Sequence, residues 1–185
     1  GIEIKPFPWK ENHVNFNVGD ITQIEFQKTL DSPIDIIILR DVIEHIPLDE
    51  KHSFLASITN LMHKNTKMLV TFPPFYSPFG LHQQVFCKSI MKKIPFLSWM
   101  PKWKIKLIAK IMGESNDSVD ELIEINRCRM TISAFKKLIS SQNLNIEQEK
   151  FFSIRPSHEI RSGWKTRESV LGEIPIIREF TSLGT

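Results

Sequence analysis

Cysteine and glycine are both scarce in this 185-residue chain. Its two cysteines, Cys87 and Cys128, stand far apart with no Cys-x-x-Cys spacing. That excludes a disulfide framework and a zinc knuckle, no metal site is expected, and a reducing, cytoplasmic setting follows. Seven glycines are scattered along the chain and none forms a glycine-rich phosphate-binding turn. No apolar run approaches the roughly 18 to 20 residues that span a bilayer, and no signal peptide, internal repeat or low-complexity tract is visible. Charge of one sign is also lacking: 24 Lys and Arg stand against 21 Asp and Glu, a net charge of +3 that by itself demands no nucleic-acid partner. What remains, 41% apolar and 24% charged residues, is the balance of a globular chain long enough for one domain.

The clearest strand is Ile34-Asp35-Ile36-Ile37-Ile38-Leu39, a β-branched run without polar alternation, which predicts a parallel strand buried on both faces. From Leu48 to His63, Phe54, Leu55, Ile58, Leu61 and Met62 recur at helical spacing, with Asp49 and Glu50 in the first turn. A second strand, Lys67 to Phe72, is halted by Pro73-Pro74. Strand, helix and strand make a parallel βαβ unit. Upstream, Val14 to Val18 reads as a strand running into Gly19-Asp20. Downstream, Thr131 or Ser133 caps a helix over Phe135, Leu138 and Ile139. Leu144 to Ile154 and Ile176 to Thr181 read as late strands, separated by the polar, weakly periodic Ser157 to Gly172. The stretch 75–127 breaks the βαβ rhythm and is expected to be a helical insertion. The fold class is α/β, an open sheet.

Ligands of open α/β sheets bind outside the carboxyl ends of the strands. Glu3, Asp20 and Asp41 fall at such ends; together they suit the ribose hydroxyls and adenine of an adenosine-containing cofactor, and singly each also reads as turn chemistry. The segments Gly1-Ile2-Glu3-Ile4, Phe16-Asn17-Val18-Gly19-Asp20-Ile21 and Asp35 to Ile46, with Asp41-Val42-Ile43-Glu44-His45 after the fourth family strand, resemble the class I S-adenosylmethionine-dependent methyltransferases. The resemblance continues through Lys67 to Pro74 and covers most of the chain apart from the insertion.

The resemblance implies a Rossmann-like open sheet, mostly parallel with a late antiparallel strand, helices on both faces and an insertion after the fifth family strand. It implies S-adenosyl-L-methionine as cofactor. Glu3 would hold the ribose hydroxyls, Asp20 the adenine amino group with Ile21 packing beside the ring, Gly19 would belong to the same cofactor site, and Arg40, Asp41 and Val42 would border the methionine part. The interval from Glu3 to Asp20 is short for the family, and Lys5 to Trp9 carries two prolines where a helix would begin. The family's glycine-rich turn is absent, so 1–185 is expected to be most of a larger domain, lacking its first strand and last hairpin strand, with unpaired strand edges and poor solubility.

The implied reaction is methyl transfer to a small-molecule acceptor, with oxygen ahead of nitrogen or carbon. His45 reads as a wall of the cofactor site, as a proton acceptor or as a cap on local backbone. Tyr76, His82 and Gln83, in the aromatic segment after the fifth family strand, suit a polar acceptor or a hinge into the insertion, with His45 and His82 as the candidate catalytic pair. Pro73-Pro74-Phe75-Tyr76 lies after the wrong strand for an enzyme acting on DNA bases. The alternative to an enzyme is a Rossmann-like accessory module without activity. Finally, 88–110 holds seven lysines and no acid: Lys102, Lys106 and Lys110 repeat every fourth residue opposite Trp103, Leu107, Ile108 and Ile111. This is the pattern of a lid, of ordinary packing, or of a membrane-surface helix on an enzyme with a lipid-linked acceptor.

Overall fold

A computed structural model describes residues 1–4, 6, 12–30 and 33–185, without the side chains of 161 and 162. Most of the expected Lys5 to Trp9 irregularity lies outside the described residues. The chain is mixed α/β. Among the described residues three two-stranded sheets form, where a single open sheet was expected. β1 (Ile2–Glu3) pairs in parallel with β2 (Asn17–Val18), and a short helix α1 (Ile24–Gln27) follows.

The βαβ unit forms where the sequence placed it. β3 (Ile36–Arg40) and β4 (Lys67–Thr71) are parallel and in register from Ile36 opposite Lys67 to Arg40 opposite Thr71, and α2 (Lys51–Thr59) crosses between them. The pleat sends alternate residues to opposite faces. Ile37, Leu39, Met68 and Val70 meet Phe54, Leu55 and Ile58 of α2 and, from α6 (Ile132–Ser141), Phe135, Leu138 and Ile139. Thr131 caps α6 as expected, its hydroxyl accepting from the Ala134 N–H. The other face differs from expectation. Ile36, Ile38 and Leu69 are 64%, 62% and 55% exposed. A continuous apolar run does not distinguish a strand covered on two faces from one covered on a single face, and here both packing helices lie on one side.

The expected insertion is helical: α3 (Gln83–Phe86), α4 (Lys102–Ile111) and α5 (Asn116–Cys128), with 3₁₀ turns at Ile90–Lys93 and Leu97–Trp99. It builds its own core from Phe75, Leu81, Met91, Leu97, Ile105 and Leu122, with Ala109 among the buried residues. On α4 the inward stripe is Ile105 and Ala109, whereas Trp103, Leu107 and Ile111 are exposed. Of the expected apolar stripe only Ile108 packs against this core.

The last third departs most from expectation. β5 (Phe152–Ile154) is all that forms of the Leu144 to Ile154 strand, and it pairs antiparallel with β6 (Arg167–Glu168) from the polar stretch, which also holds α7 (Pro156–Ser162). Ile176 to Thr181 is not a strand: α8 (Arg178–Thr181) occupies it. The reason is a side chain. The Glu179 carboxylate accepts from the Ile132 and Ser133 N–H groups at 2.9 and 2.8 Å, and from the Ser133 hydroxyl at 2.7 Å. It satisfies orphan donors at the start of α6 where the helix dipole favours an anion. Among the described residues no helix is long and apolar enough to cross a membrane.

Candidate functional site

At its carboxyl end β3 runs into a sharp turn. Asp41 takes a left-handed conformation (φ 53°), and Ile43–His45 follows as one turn of 3₁₀ helix. Lys51, on the first turn of α2, is buried beneath it, and its Nζ donates to the Ile43 and Ile46 carbonyls, both at 2.6 Å. From the other side the Cys128 thiol at the end of α5 donates to the His45 carbonyl at 3.2 Å. The turn is pinned between the two hydrophobic cores.

The insertion delivers a further candidate side chain here. After Pro73-Pro74 the chain tightens through Ser77–Gly80, where a Cβ on Gly80 would overlap the Phe75 carbonyl, so only glycine fits without displacing backbone. His82 follows with φ 55°, a conformation for which His is better suited than most side chains. Its Nε2 lies 3.5 Å from Glu44 Oε1, and its ring meets that of His45 edge-on with centroids 5.1 Å apart.

Glu44 is the unusual member. Its side chain is 3% exposed, and neither carboxylate oxygen accepts a hydrogen bond among the described residues. Burial raises its pKa to about 8 against the pull of its own backbone N–H, with a smaller push from Asp41 and weaker pulls from Arg155 and Lys51. His45 reaches solvent, yet the protein mass around it lowers its pKa, burial outweighing the carboxylates of Glu121 and Asp41. A neutral imidazole is therefore favoured.

The other anticipated residues divide into groups. Glu3 and Gly19 are brought together, the Gly19 N–H donating to the Glu3 carbonyl at 2.9 Å, so the carboxyl ends of β1 and β2 adjoin. Asp20 Oδ1 accepts from the Thr22 N–H and hydroxyl at 2.9 and 2.7 Å, which lowers its pKa and makes it a turn residue as well as a candidate. Ile21 and Val42 pack against the β3–β4 core. The Asp41 carboxylate is held by Arg155, an ion pair that the sequence reading missed because 114 residues separate the partners. Arg40 is exposed and lines, with Thr71, Phe152, Arg155 and Ile160, an open cavity of about 190 Å³. That is below the roughly 300 Å³ at which small-molecule sites begin, too little for a nucleoside cofactor. Tyr76 is exposed, and its ring contacts Phe75 and Phe180. Gln83 does not face an acceptor: it is fully buried and its Nε2 donates to the Ile94 and Pro78 carbonyls at 2.8 and 3.2 Å, tying the insertion's loop together.

Glu44, His45 and His82 thus converge, each offering one ligand atom, with all three atoms within 4.8 Å of one another. The sequence reading named both histidines and passed over the glutamate between them and the strand. The available signal was a carboxylate beside a histidine at a strand end. Comparison with protein-family models, with curated proteins and with solved structures returned no match for this chain.

Proposed function

We propose that the chain is a class I S-adenosylmethionine-dependent methyltransferase of Rossmann-like type, cytoplasmic, acting on an oxygen of a small-molecule acceptor. One observation carries the reading: Glu3, Gly19 and Asp20 stand at the carboxyl ends of one parallel strand pair and Arg40, Asp41 and Val42 at the carboxyl end of a strand in another, where α/β proteins bind ligands. Ile21, just beyond β2, packs against the β3–β4 core. The residues present fit an adenosine group in part. Glu3 is exposed at its strand end, and Asp20 has a carboxylate held ionised by Thr22 through Oδ1, so that Oδ2 can accept from an adenine amino group. Asp41, tied to Arg155, borders the methionine part rather than binding it.

When bound, S-adenosylmethionine supplies a methyl group already activated on a sulfonium, which leaves the protein mainly the task of orientation. As the methyl passes to the acceptor oxygen, the hydroxyl proton must leave. His45, favoured neutral, is suited to accept it. The insertion 75–127 acts as the lid that carries His82 to the same place.

Titration of the whole chain with S-adenosylhomocysteine tests the reading. Saturable micromolar binding is expected, weakened by about 1–3 kcal/mol in Asp20→Ala. No binding at millimolar ligand by folded protein overturns it and leaves the Rossmann-like accessory module.

A second observation favours an acceptor held at a membrane surface. Trp103, Leu107 and Ile111 form an exposed apolar stripe on α4, flanked by Lys102, Lys106 and Lys110. Such a face suits anionic headgroups. Flotation with phosphatidylglycerol vesicles should carry the protein with the lipid, and Trp103→Ser should reduce it. Protein left in the soluble fraction returns α4 to a purely structural role.

A further inference from the structure

We propose that Glu44, His45 and His82 form a binding site for a divalent transition-metal ion of the zinc type. Two imidazoles and one carboxylate are a recurrent protein ligand set for such ions, which three ligands hold while leaving a position for water or a substrate oxygen. The spacing is close to what coordination needs. Ligand bonds of about 2.0–2.1 Å put neighbouring ligand atoms about 3.3 Å apart in a tetrahedral site. Here Glu44 Oε1 and His82 Nε2 are already 3.5 Å apart, and no pair of the three ligand atoms exceeds 4.8 Å. Closing each pair to that spacing asks for shifts of at most about 1.5 Å.

A second observation points to a cation rather than to a chance meeting of polar groups. The Glu44 side chain is 97% buried, the complement of its 3% exposure, and both its oxygens are without a hydrogen bond among the described residues. Such a group is costly to bury unless something compensates it. Lys51, the nearest buried cation on α2, does not: its Nζ is directed to the Ile43 and Ile46 carbonyls. Arg155 is committed to Asp41. A dication between the two imidazoles and the carboxylate would supply the missing partner.

The three ligands also come from segments that are fixed independently. Lys51 and Cys128 pin the turn bearing Glu44 and His45, while Gly80 and the amide of Gln83 set the loop bearing His82. That is the support a preorganised metal site requires. With a cation bound, His45 and His82 serve as ligands rather than as proton acceptors. The site does not depend on the methyltransferase reading, since the metal is tested alone and without cofactor or acceptor.

The test is calorimetric titration of the chelator-treated whole chain with Zn²⁺, repeated with Co²⁺ while recording visible absorption. One equivalent should bind, with Co²⁺ giving the intense d–d bands of a tetrahedral site. Glu44→Gln and His82→Ala should each weaken Zn²⁺ binding on the order of 100-fold, at least the upper range seen when a group supporting a ligand is removed. Circular dichroism checks that each variant is folded; if one is not, the other and His45→Ala carry the result. A His52→Ala and His63→Ala double variant, altering histidines outside the cluster, should leave the affinity unchanged. The proposal is overturned if no saturable equivalent binds, or if binding survives the cluster variants.

Discussion

The helical insertion and the βαβ unit are of similar apolar character but handle it in opposite ways. The insertion closes on itself: α3, α4 and α5 bury Leu81, Met91, Leu97, Ile105 and Leu122 completely. The βαβ unit is one-sided. Its inner face is packed by α2 and α6, and its outer face leaves Ile36, Ile38 and Leu69 largely in contact with water. The same residue type therefore contributes very different stability in the two regions, because stabilisation follows the area removed from water rather than hydrophobicity in sequence. The candidate site lies on the seam, taking Glu44 and His45 from one region and His82 from the other.

The largest effect should come from the insertion's core. Leu122→Ala, at a fully buried position, is expected to cost about 2–5 kcal/mol in chemical denaturation. A loss below about 1 kcal/mol would mean that the insertion is loosely packed and the contrast is false. Next comes the link across the open unit. Arg155→Ala removes the partner of the part-buried Asp41 and should cost about 1–3 kcal/mol, with Arg155→Lys recovering part of it.

Smaller again is a pH effect inside the insertion. Burial, reinforced by Glu114, raises the Cys87 thiol to about 11 from a reference of 9.0. The folded state thus retains its proton where the unfolded chain loses it. The stability that the thiol contributes is complete below pH 9 and is lost as pH rises to 11. The difference in stability between the native chain and Cys87→Ala should narrow across that window. At pH 8 neither buried cysteine should react with a thiol reagent until the protein unfolds. The smallest effect belongs to the open face: Ile38→Thr should change stability by no more than about 0.5 kcal/mol. A cost of 2 kcal/mol would show that this face is covered in solution.

The regions also differ in how much of them could be read from sequence. β3, α2 and β4 were legible because their periodicity is local, and the Thr131 cap announced α6. The number of faces covered was not, since an isoleucine run is the same whether one face or both are packed. α8 was misread as a strand because what decides its conformation is Glu179 reaching α6, a contact 46 and 47 residues away. In the site, both histidines could be picked out individually. Their meeting with Glu44 could not, because a His-His-Glu set assembled from two segments has no fixed spacing. Asp41 was placed at the correct strand end, but its conformation and its Arg155 partner arise from tertiary structure alone.

The clamp of Glu179 on α6 also orders events in time. During synthesis the residues of α6 emerge well before Glu179 exists, so the first turn of that helix waits with its Ile132 and Ser133 N–H groups open to water. α2 and the β3–β4 pair can dock meanwhile, being made earlier and joined by a short crossover. The nascent chain should accordingly acquire its inner core from one side, with α6 settling only once a residue made much later arrives to hold its start.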